Sequence, residues 1–276
     1  MGFRRTFRGV AVLGFIVSVW SLPLQAATPP GTAAGISWLQ SQLQADGSFT
    51  NANGIATNTQ AESEGLKALT AANDPEATLT AGLIIAAADG DTETLSRQIL
   101  ASVGTNQSTS ALVTTLLANQ NTDGGFGEFL GYPSAIFHTA YALAALNAAG
   151  QGNTDAAHNA ALFLVNAQGS DGSWSDLQGN VTPYTTALAI EALAPYRLQL
   201  ASIALAIKGA TTYLGSARQS GSDWGESYIN AQAVLALTTG NADPTLVANA
   251  ASDLANAQLA DGSWGDDVFK IGRAHV

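Results

Sequence analysis

Apolar residues along most of the chain recur at intervals of three and four positions, and the strict alternation typical of a half-buried strand is rare. This spacing is typical of helices that bury one face. It predicts an all-α fold of eleven helices joined by mostly short connections. Their predicted bounds are 31–44, 57–72, 75–88, 91–103, 108–119, 134–149, 154–167, 183–197, 200–217, 226–239 and 243–258.

Residues that favour helix starts support several of these bounds. Proline is tolerated in a first turn, and a Thr or Asp cap accepts a hydrogen bond from the free N–H groups there. Such residues lie at or near predicted first turns at Pro75, Pro133, Thr154, Pro183, Asp243 and Pro244.

A polar motif, Gln-x-x-Asp-Gly-Ser-Trp, follows two of the helices, at 168–174 and 258–264. Looser copies lie at 42–49, 120–126 and 219–225. Asp-Gly favours a tight turn, because the Asp side chain bonds nearby backbone and Gly tolerates positive φ. Since one active site does not need five copies, we interpret the motif as a structural fastener. The residues assigned to it are Asp46, Phe49, Gln120, Asp123, Phe126, Gln168, Asp171, Trp174, Trp224, Gln258, Asp261 and Trp264.

Two kinds of helix alternate: one ends in the motif and the other begins after it. The post-motif segments 137–146, 184–193 and 228–237 align without gaps. Each has an apolar seam, a seam of alanines that permits close packing, and a third face read at i, i+4 and i+7. Two packing seams per helix predict a ring of hairpins with the post-motif helices inside, and an open solenoid is the competing arrangement.

Residues 1–26 are predicted to be an export signal. Three arginines, at positions 4, 5 and 8, precede the apolar stretch 10–20, which is too short to span a membrane comfortably, and 24–26 fits a cleavage site. The adjacent arginines also fit a twin-arginine signal, which is the alternative. The expected location is periplasmic, or extracellular at the cell surface, and no membrane span is predicted in the mature chain.

Charge and cysteine content exclude several functions. The net charge is −11, which argues against nucleic acid or anionic lipid as a partner. Cysteine is absent, which excludes disulfides, a thiol nucleophile, a thioester and Cys-ligated zinc. We predict no metal and no cofactor.

The last six residues, 271–276, have a back-translation that matches the start of a common sequencing adapter, so we expect them to be extraneous. The predicted domain covers 27–270. We expect the natural protein to continue, with a twelfth, inner helix beginning after 266–268.

The motif at 168–174 and 258–264 resembles the repeat of squalene–hopene cyclases and protein prenyltransferase β subunits. The resemblance covers nearly the whole mature chain. It implies an α/α toroid, a six-hairpin α6/α6 barrel around a central cavity, here without its last inner helix. Vitamin B12 carriers and complement thioester domains share this toroid, so the fold alone does not fix the function.

The catalytic residues of these families do not carry over. Class II cyclases protonate an alkene with an Asp-x-Asp-Asp motif, which this sequence lacks. We interpret the nearest acidic cluster, 89–93, as a solvated turn that caps the next helix. The zinc ligands of the prenyltransferases include a Cys, so that set is incomplete. The pair 266–267 is too close to the end of the sequence to be assigned a role.

The favoured function is therefore non-catalytic: a module that binds a small apolar or amphipathic ligand, or a protein partner. The alternative is a terpenoid cyclase-like enzyme or a carbohydrate-active enzyme that uses the toroid cavity, and a structural spacer is a third hypothesis. No catalytic residue is predicted. Aromatic rings with a few polar groups are typical of pockets, and the predicted contacts are Glu64, His138, Tyr141, Tyr184, Glu191, Tyr228 and Gln232. Two alternatives stay open: His138 packs or caps a helix, and the tyrosines pack between helices.

Overall fold

The computed structural model describes residues 31–49, 56–218 and 223–264. Within these ranges the chain is all-helical, with eleven α-helices, so the predicted fold class is confirmed. The six outer helices are α1 (Thr32–Gln42), α3 (Ala77–Ile85), α5 (Ser110–Leu117), α7 (Asp155–Asn166), α9 (Ala201–Ala217) and α11 (Pro244–Asn256). The five inner helices are α2 (Asn58–Ala71), α4 (Thr92–Gly104), α6 (Ile136–Ala148), α8 (Pro183–Leu193) and α10 (Ser227–Thr239). The predicted signal, the twelfth helix, the last six residues and most of the degenerate motif at 219–225 lie outside the described residues.

Proline explains where the helix bounds differ from the prediction. The helix predicted over 183–197 ends at Leu193 and continues as a 3₁₀ turn, Ala194–Tyr196. Pro195 lies in that turn and has no N–H with which to continue the α-helical pattern. Pro183 and Pro244 are first helical residues, as predicted. Pro75 and Pro133 instead lie in the connections before α3 and α6.

The alanine seam of the inner helices is fully packed. Alanines at equivalent positions of α6, α8 and α10 are at most 2% exposed: Ala142, Ala145, Ala189, Ala192, Ala233 and Ala236. Side chains this small let neighbouring backbones approach closely, and α4, α6, α8 and α10 pack side by side in that order. The same helices bury leucine or isoleucine on an adjacent face, for example Leu143, Ile190 and Leu237.

Each motif loop is closed by its own side chains. In the loop after α7, Asp171 Oδ1 accepts hydrogen bonds from the backbone N–H of Ser173 at 3.0 Å and from its hydroxyl at 2.6 Å. Gly172 between them has φ +89°, which favours glycine. Trp174 is buried and donates from Nε1 to the carbonyl of Leu164 at 2.7 Å, so its ring fixes the loop beneath the end of α7.

The motif glutamine joins its loop to the next outer helix. Gln168 Nε2 donates to Gly172 O at 2.9 Å and to Ala206 O, in α9, at 2.8 Å. Gln120 makes the matching pair of bonds, to Gly124 O and to Ala156 O in α7, at 2.9 and 2.8 Å. One side-chain amide therefore connects consecutive outer helices, and we call this contact the glutamine clasp.

The last described motif closes the ring of outer helices. Gln258 Nε2 donates to Gly262 O at 2.9 Å and to Gly31 O, at the start of α1, at 2.8 Å. A Cβ added to Gly262 would lie 2.3 Å from Ala34 O, so the two segments are in close contact. The outer layer thus forms a closed circle, whereas an open solenoid would leave α1 and α11 apart.

Replacing Gln258 by Ala tests this closure. We expect Gln258→Ala to lower the free energy of unfolding by about 1–3 kcal/mol, because two partly buried carbonyl groups lose their donor. The measurement is urea denaturation followed by circular dichroism. The matched control is Gln178→Ala, at an exposed position, where the expected change is within about 0.5 kcal/mol. Equal stability of the two variants would contradict the stabilising role of the closure.

Candidate functional site

One face from each described inner helix lines the interior of the toroid. On α6, α8 and α10 this is the predicted i, i+4, i+7 face. Hydrogen bonds between helices extend the same face to α2 and α4. Gln60 Nε2 of α2 donates to both carboxylate oxygens of Glu93 of α4 at 3.1 and 3.2 Å, and Arg97 of α4 donates to the hydroxyl of Tyr141 of α6 at 2.9 Å.

Arg97 is the centre of an interior charge cluster, which also contains Glu64, Lys67, Glu93 and Tyr141. Its Nε donates to Glu93 Oε1 at 2.7 Å, and its Nη1 donates to Glu64 Oε1 at 3.0 Å. Lys67 Nζ donates to the two oxygens of Glu64 at 3.0 and 2.8 Å. Two cations thus face two carboxylates, which balances the charge inside the toroid.

The cluster keeps Glu64 ionised. Burial by itself would raise the pKa of this carboxyl, but the charges of Lys67 and Arg97 outweigh it and lower the pKa to about 2. Both carboxylate oxygens of Glu64 also accept hydrogen bonds from Lys67 or Arg97. The ionised side chain is therefore fixed in position in the interior.

Glu191 has the opposite environment. It lies on the interior face of α8, where Gln232 Nε2 of α10 donates to its Oε1 at 2.5 Å. Burial raises the pKa of Glu191 to about 7, against the opposing effects of the Lys67 charge and the Gln232 hydrogen bond. A large fraction of this carboxyl therefore carries a proton near neutral pH. The interior therefore holds two carboxylates paired with cations, Glu64 and Glu93, and a third carboxyl, Glu191, that retains its proton to a higher pH.

Four aromatic rings on α6, α8 and α10 lie beside the charge cluster, and we call them the aromatic wall. Phe137 and Tyr141 lie with ring centroids 4.9 Å apart, and Tyr184 and Tyr228 with centroids 5.5 Å apart. Tyr141 joins the two groups, since Arg97 Cζ lies 4.7 Å from its ring centroid. Burial raises the pKa of Tyr184 and Tyr228, whose hydroxyls are 3.4 Å apart, so both phenols stay neutral. The charged groups thus come from α2 and α4, whereas α6, α8 and α10 contribute the rings together with Glu191 and Gln232.

The structure brings six of the seven predicted contact residues to this interior: Glu64, Tyr141, Tyr184, Glu191, Tyr228 and Gln232. His138 lies off the i, i+4, i+7 face of α6. It is 7% exposed, and its ring lies edge-on to Phe137 with centroids 5.3 Å apart. Ligand contact by the six remains a prediction.

Sequence reasoning missed Lys67, Glu93 and Arg97. The interpretation of 89–93 as a solvated turn holds for Asp91, which caps α4 by accepting from Thr94 N at 2.9 Å. It is wrong for Glu93, which turns inward because Arg97, one helical turn later, binds its carboxylate. Extending the i, i+4, i+7 alignment to α2 and α4 would have revealed the cluster.

Glu62, in α2, faces a motif loop rather than the interior. It occupies the position at which α6 and α8 carry Thr139 and Thr186. The hydroxyls of these threonines accept hydrogen bonds from the backbone N–H groups of Phe126 and Trp174, at 2.9 and 3.1 Å. Burial, and then the charge of Asp46, raise its pKa to about 6.

The described ranges contain no group of three or more His, Cys, Asp or Glu side chains arranged to hold a metal ion. No helix of residues 31–49, 56–218 or 223–264 has both the length and the apolarity that crossing a membrane requires.

The amino-acid sequence is similar to one characterised synthase over part of its length. No protein-family model matches the chain. Over 163 residues, 54% of the chain, it is 34% identical to drimenyl diphosphate synthase from Streptantibioticus cattleyicolor. The matched segment spans only 30% of that protein's own length.

Solved structures share the fold across most of the chain. A protein from Actinoplanes superposes with a TM-score of 0.67 and 17% identity, covering 85% of this chain and 82% of its own. The type II terpene cyclase MstE from Scytonema superposes with a TM-score of 0.64 and 17% identity, covering 85% and 80%. The ent-copalyl diphosphate synthase from Streptomyces platensis superposes with a TM-score of 0.56 and 19% identity, covering 77% of this chain and 49% of its own. The resemblance to a terpenoid cyclase-like α/α toroid is confirmed.

Removing Arg97 should destabilise the fold. We expect Arg97→Met to cost about 3–5 kcal/mol of unfolding free energy, because Glu64 and Glu93 would remain as buried charges without their shared cation. In the control Lys208→Met, at an exposed position of α9, the expected change is within about 0.5 kcal/mol. Both are measured by urea denaturation.

A double variant separates charge from packing. If unpaired charge is the cause, Glu93→Gln/Arg97→Met, which keeps the Glu64–Lys67 ion pair, should be more stable than Arg97→Met alone. A double variant that is less stable than the single one would contradict this explanation.

The raised pKa of Glu191 predicts a pH-dependent effect of Glu191→Gln. The folded state favours the protonated carboxyl, so the stability contributed by this group is complete below its ordinary pKa of 4.5 and is lost as pH rises through about 7. A neutral Gln avoids this loss. We expect equal stabilities at pH 4.5, and at pH 8 an advantage of up to about 3 kcal/mol for the variant, measured by urea denaturation.

The control is Glu76→Gln, at the exposed start of α3. Its free energy of unfolding should equal that of the wild type at both pH 4.5 and pH 8. A Glu191→Gln variant that does the same would show that Glu191 ionises freely in the folded protein.

Proposed function

We propose that this chain, which has the terpenoid cyclase-like α/α-toroid fold, binds an isoprenoid in its interior and cyclises it by acid-initiated chemistry. The sequence alone favours a non-catalytic module over this alternative. The comparisons favour the enzymatic alternative, because the similar proteins are a type II terpene cyclase, drimenyl diphosphate synthase and ent-copalyl diphosphate synthase. The activity is nevertheless a proposal for this chain, which covers less than a third of the synthase that it matches in sequence.

The observation that carries the proposal is the carboxyl of Glu191 inside the toroid, which accepts a hydrogen bond from Gln232 Nε2 at 2.5 Å and whose pKa burial raises to about 7. Proton transfer from Glu191 to the less substituted carbon of the terminal isoprenoid double bond uses the alkene electron pair to form a C–H bond, and it leaves a tertiary carbocation at the other carbon of that bond and a carboxylate at Glu191. An internal double bond then attacks the cation and closes a ring. Loss of a proton at the end makes the reaction an isomerisation that consumes no other reagent.

Two neighbours support Glu191 as the acid. The Gln232 amide donates to Glu191 Oε1, and the Lys67 ammonium is close enough to favour the ionised form. Both interactions strengthen as the carboxylate develops, so they stabilise the product of proton transfer more than the starting acid. The arrangement supplies one acid with its own stabilisation, in place of the Asp-x-Asp-Asp motif that the sequence lacks.

The groups that line the interior favour an amphipathic isoprenoid. The aromatic wall offers π faces to a carbocation and apolar surface to a prenyl chain. The interior charge cluster offers hydrogen-bonding groups to a polar head. A variant of the Scytonema cyclase is solved with geranylgeranyl dihydroxybenzoate as its substrate, which is a molecule of this kind. The sequence of residues 1–26 leads us to propose, in addition, that the protein acts after export.

Turnover by purified protein tests the function. The wild type is incubated with farnesyl diphosphate, geranylgeranyl diphosphate or geranylgeranyl dihydroxybenzoate, and the products are analysed by gas or liquid chromatography with mass spectrometry. We expect a cyclic isomer from at least one of them. Glu191→Gln should lower its rate at least 100-fold, because an amide cannot donate the proton, while Glu76→Gln should leave it unchanged.

Two outcomes would overturn the proposal. If the wild type bound an isoprenoid without turnover, the non-catalytic module would be the better description. If Glu191→Gln kept full activity, another group would have to be the acid. Since Glu191→Gln is expected to be at least as stable as the wild type, loss of activity in this variant would not reflect unfolding.

A further inference from the structure

The cationic side chains of the protein determine which head groups the interior can hold. In the described ranges they are Lys67, Arg97, Arg197, Lys208 and Arg218. Three of them lie elsewhere. Lys208 is exposed on the outer helix α9, Arg218 pairs with an aspartate of α11, and Arg197 donates to two backbone carbonyl groups. Among the described residues, Lys67 and Arg97 therefore supply the positive charge of the interior.

Both interior cations are already neutralised by glutamates. Arg97, whose side chain is 2% exposed, binds Glu93 at 2.7 Å and Glu64 at 3.0 Å. Lys67 binds Glu64 at 2.8 Å. Burial opposes the ionisation of Glu64, but the charges of Lys67 and Arg97 lower its pKa to about 2, so it stays charged near neutral pH. Two positive and two negative charges therefore cancel within one set of contacts.

A phosphate group would disturb this balance of charge. Proteins bind phosphate through charge-assisted hydrogen bonds from Arg or Lys. To make such bonds here, Arg97 or Lys67 would have to exchange a glutamate for the phosphate. The exchange would leave Glu64 or Glu93 without its cation, and an unpaired buried charge is costly. Each diphosphate would also add several negative charges to an interior that is neutral before it binds.

The aromatic wall supplies polar groups that suit an uncharged head group. Tyr184 and Tyr228 are partly buried, and their hydroxyls lie 3.4 Å apart. Burial raises the pKa of both phenols, so neither carries a charge near neutral pH. A phenol hydroxyl can both donate and accept a hydrogen bond. The oxygen of an alcohol, a phenol or a quinone can pair with such hydroxyls without adding net charge.

We propose that the interior selects an isoprenoid whose head group carries no phosphate, such as a prenyl alcohol, phenol or quinone. The balanced pairs of Lys67 and Arg97 with Glu64 and Glu93 disfavour an anionic head group, and the tyrosine hydroxyls favour a neutral one. That the bound molecule is cyclised rests on the proposed function, whereas the preference for its head group follows from the charges of the interior.

Two isoprenoids that differ only in the head group test this preference. Farnesol and farnesyl diphosphate are titrated into the wild-type protein by isothermal titration calorimetry, each with and without MgCl₂. Turnover of both is followed by gas or liquid chromatography with mass spectrometry. We expect farnesol to bind at least tenfold more tightly and to have a kcat/KM at least tenfold higher, because the diphosphate loses water without gaining an available cation.

Removing one negative charge tests whether charge balance is the cause. Glu93→Gln keeps an oxygen that can accept from Arg97, but it leaves two cations facing one carboxylate. We expect it to tighten the binding of farnesyl diphosphate at least tenfold and to change that of farnesol by no more than about twofold. Glu76→Gln, at an exposed position, is the matched control and should change neither. Should Glu93→Gln not fold, Glu64→Gln removes a charge of the same cluster and carries the same expectation.

The head-group preference and the cyclase activity can fail separately. Equal or tighter binding of farnesyl diphosphate by the wild type, with or without MgCl₂, would overturn the preference, even if the diphosphate were cyclised. An unchanged ratio of the two dissociation constants in the charge-removal variant would also overturn it. Tighter binding of farnesol without turnover of either compound would support the preference and contradict the cyclase. Binding of neither compound would contradict both.

Discussion

A side-chain amide holds three of the motif loops to the outer helix that follows each of them around the ring. The glutamine clasp uses two donors of one group to satisfy two carbonyls, one in its own loop and one in, or at the start of, the next outer helix. In the loop after α7, the Asp-Gly turn and the buried tryptophan place the glutamine where it can do this. The same contact recurs at Gln120, Gln168 and Gln258, so a local device orders the outer layer in addition to the hydrophobic core that the inner and outer helices share.

Because the outer layer fixes the ring, the inner helices are free to carry groups that a compact core would exclude. Arg97 is almost completely buried, and it is tolerated because three polar partners meet it in the interior. Such a cluster adds little net stability compared with apolar packing. It does place charged groups beside the aromatic wall, and it holds a charged Glu64 in the same interior as Glu191, whose pKa burial raises to about 7. That contrast is what makes acid chemistry a reasonable function for this toroid.

The motif and the helical periodicity made the fold predictable from sequence, because both are local patterns that tertiary packing reinforces. The helix predicted over 183–197 was too long because the break at Pro195 depends on one residue within an otherwise helical pattern. The interior was predictable where three inner helices align without gaps, which is how Tyr141, Glu191 and Gln232 were chosen. Arg97 and Glu93 were missed because their roles follow from pairing between helices, which a single segment does not reveal. The pKa of Glu191 likewise depends on burial by several helices at once.

The contact between Gln258 and Gly31 joins residues that are 227 positions apart, while most other contacts of the ring link neighbouring hairpins. Because the outer layer is a closed ring, the same arrangement of hairpins could be formed by a chain that begins at a different hairpin. Breaking the chain between two other hairpins and joining the segment that follows the predicted twelfth helix to residue 31 by a short linker would keep the glutamine clasps in place. The toroid is therefore a natural candidate for circular permutation, with the position of the termini chosen to suit a fusion or an attachment site.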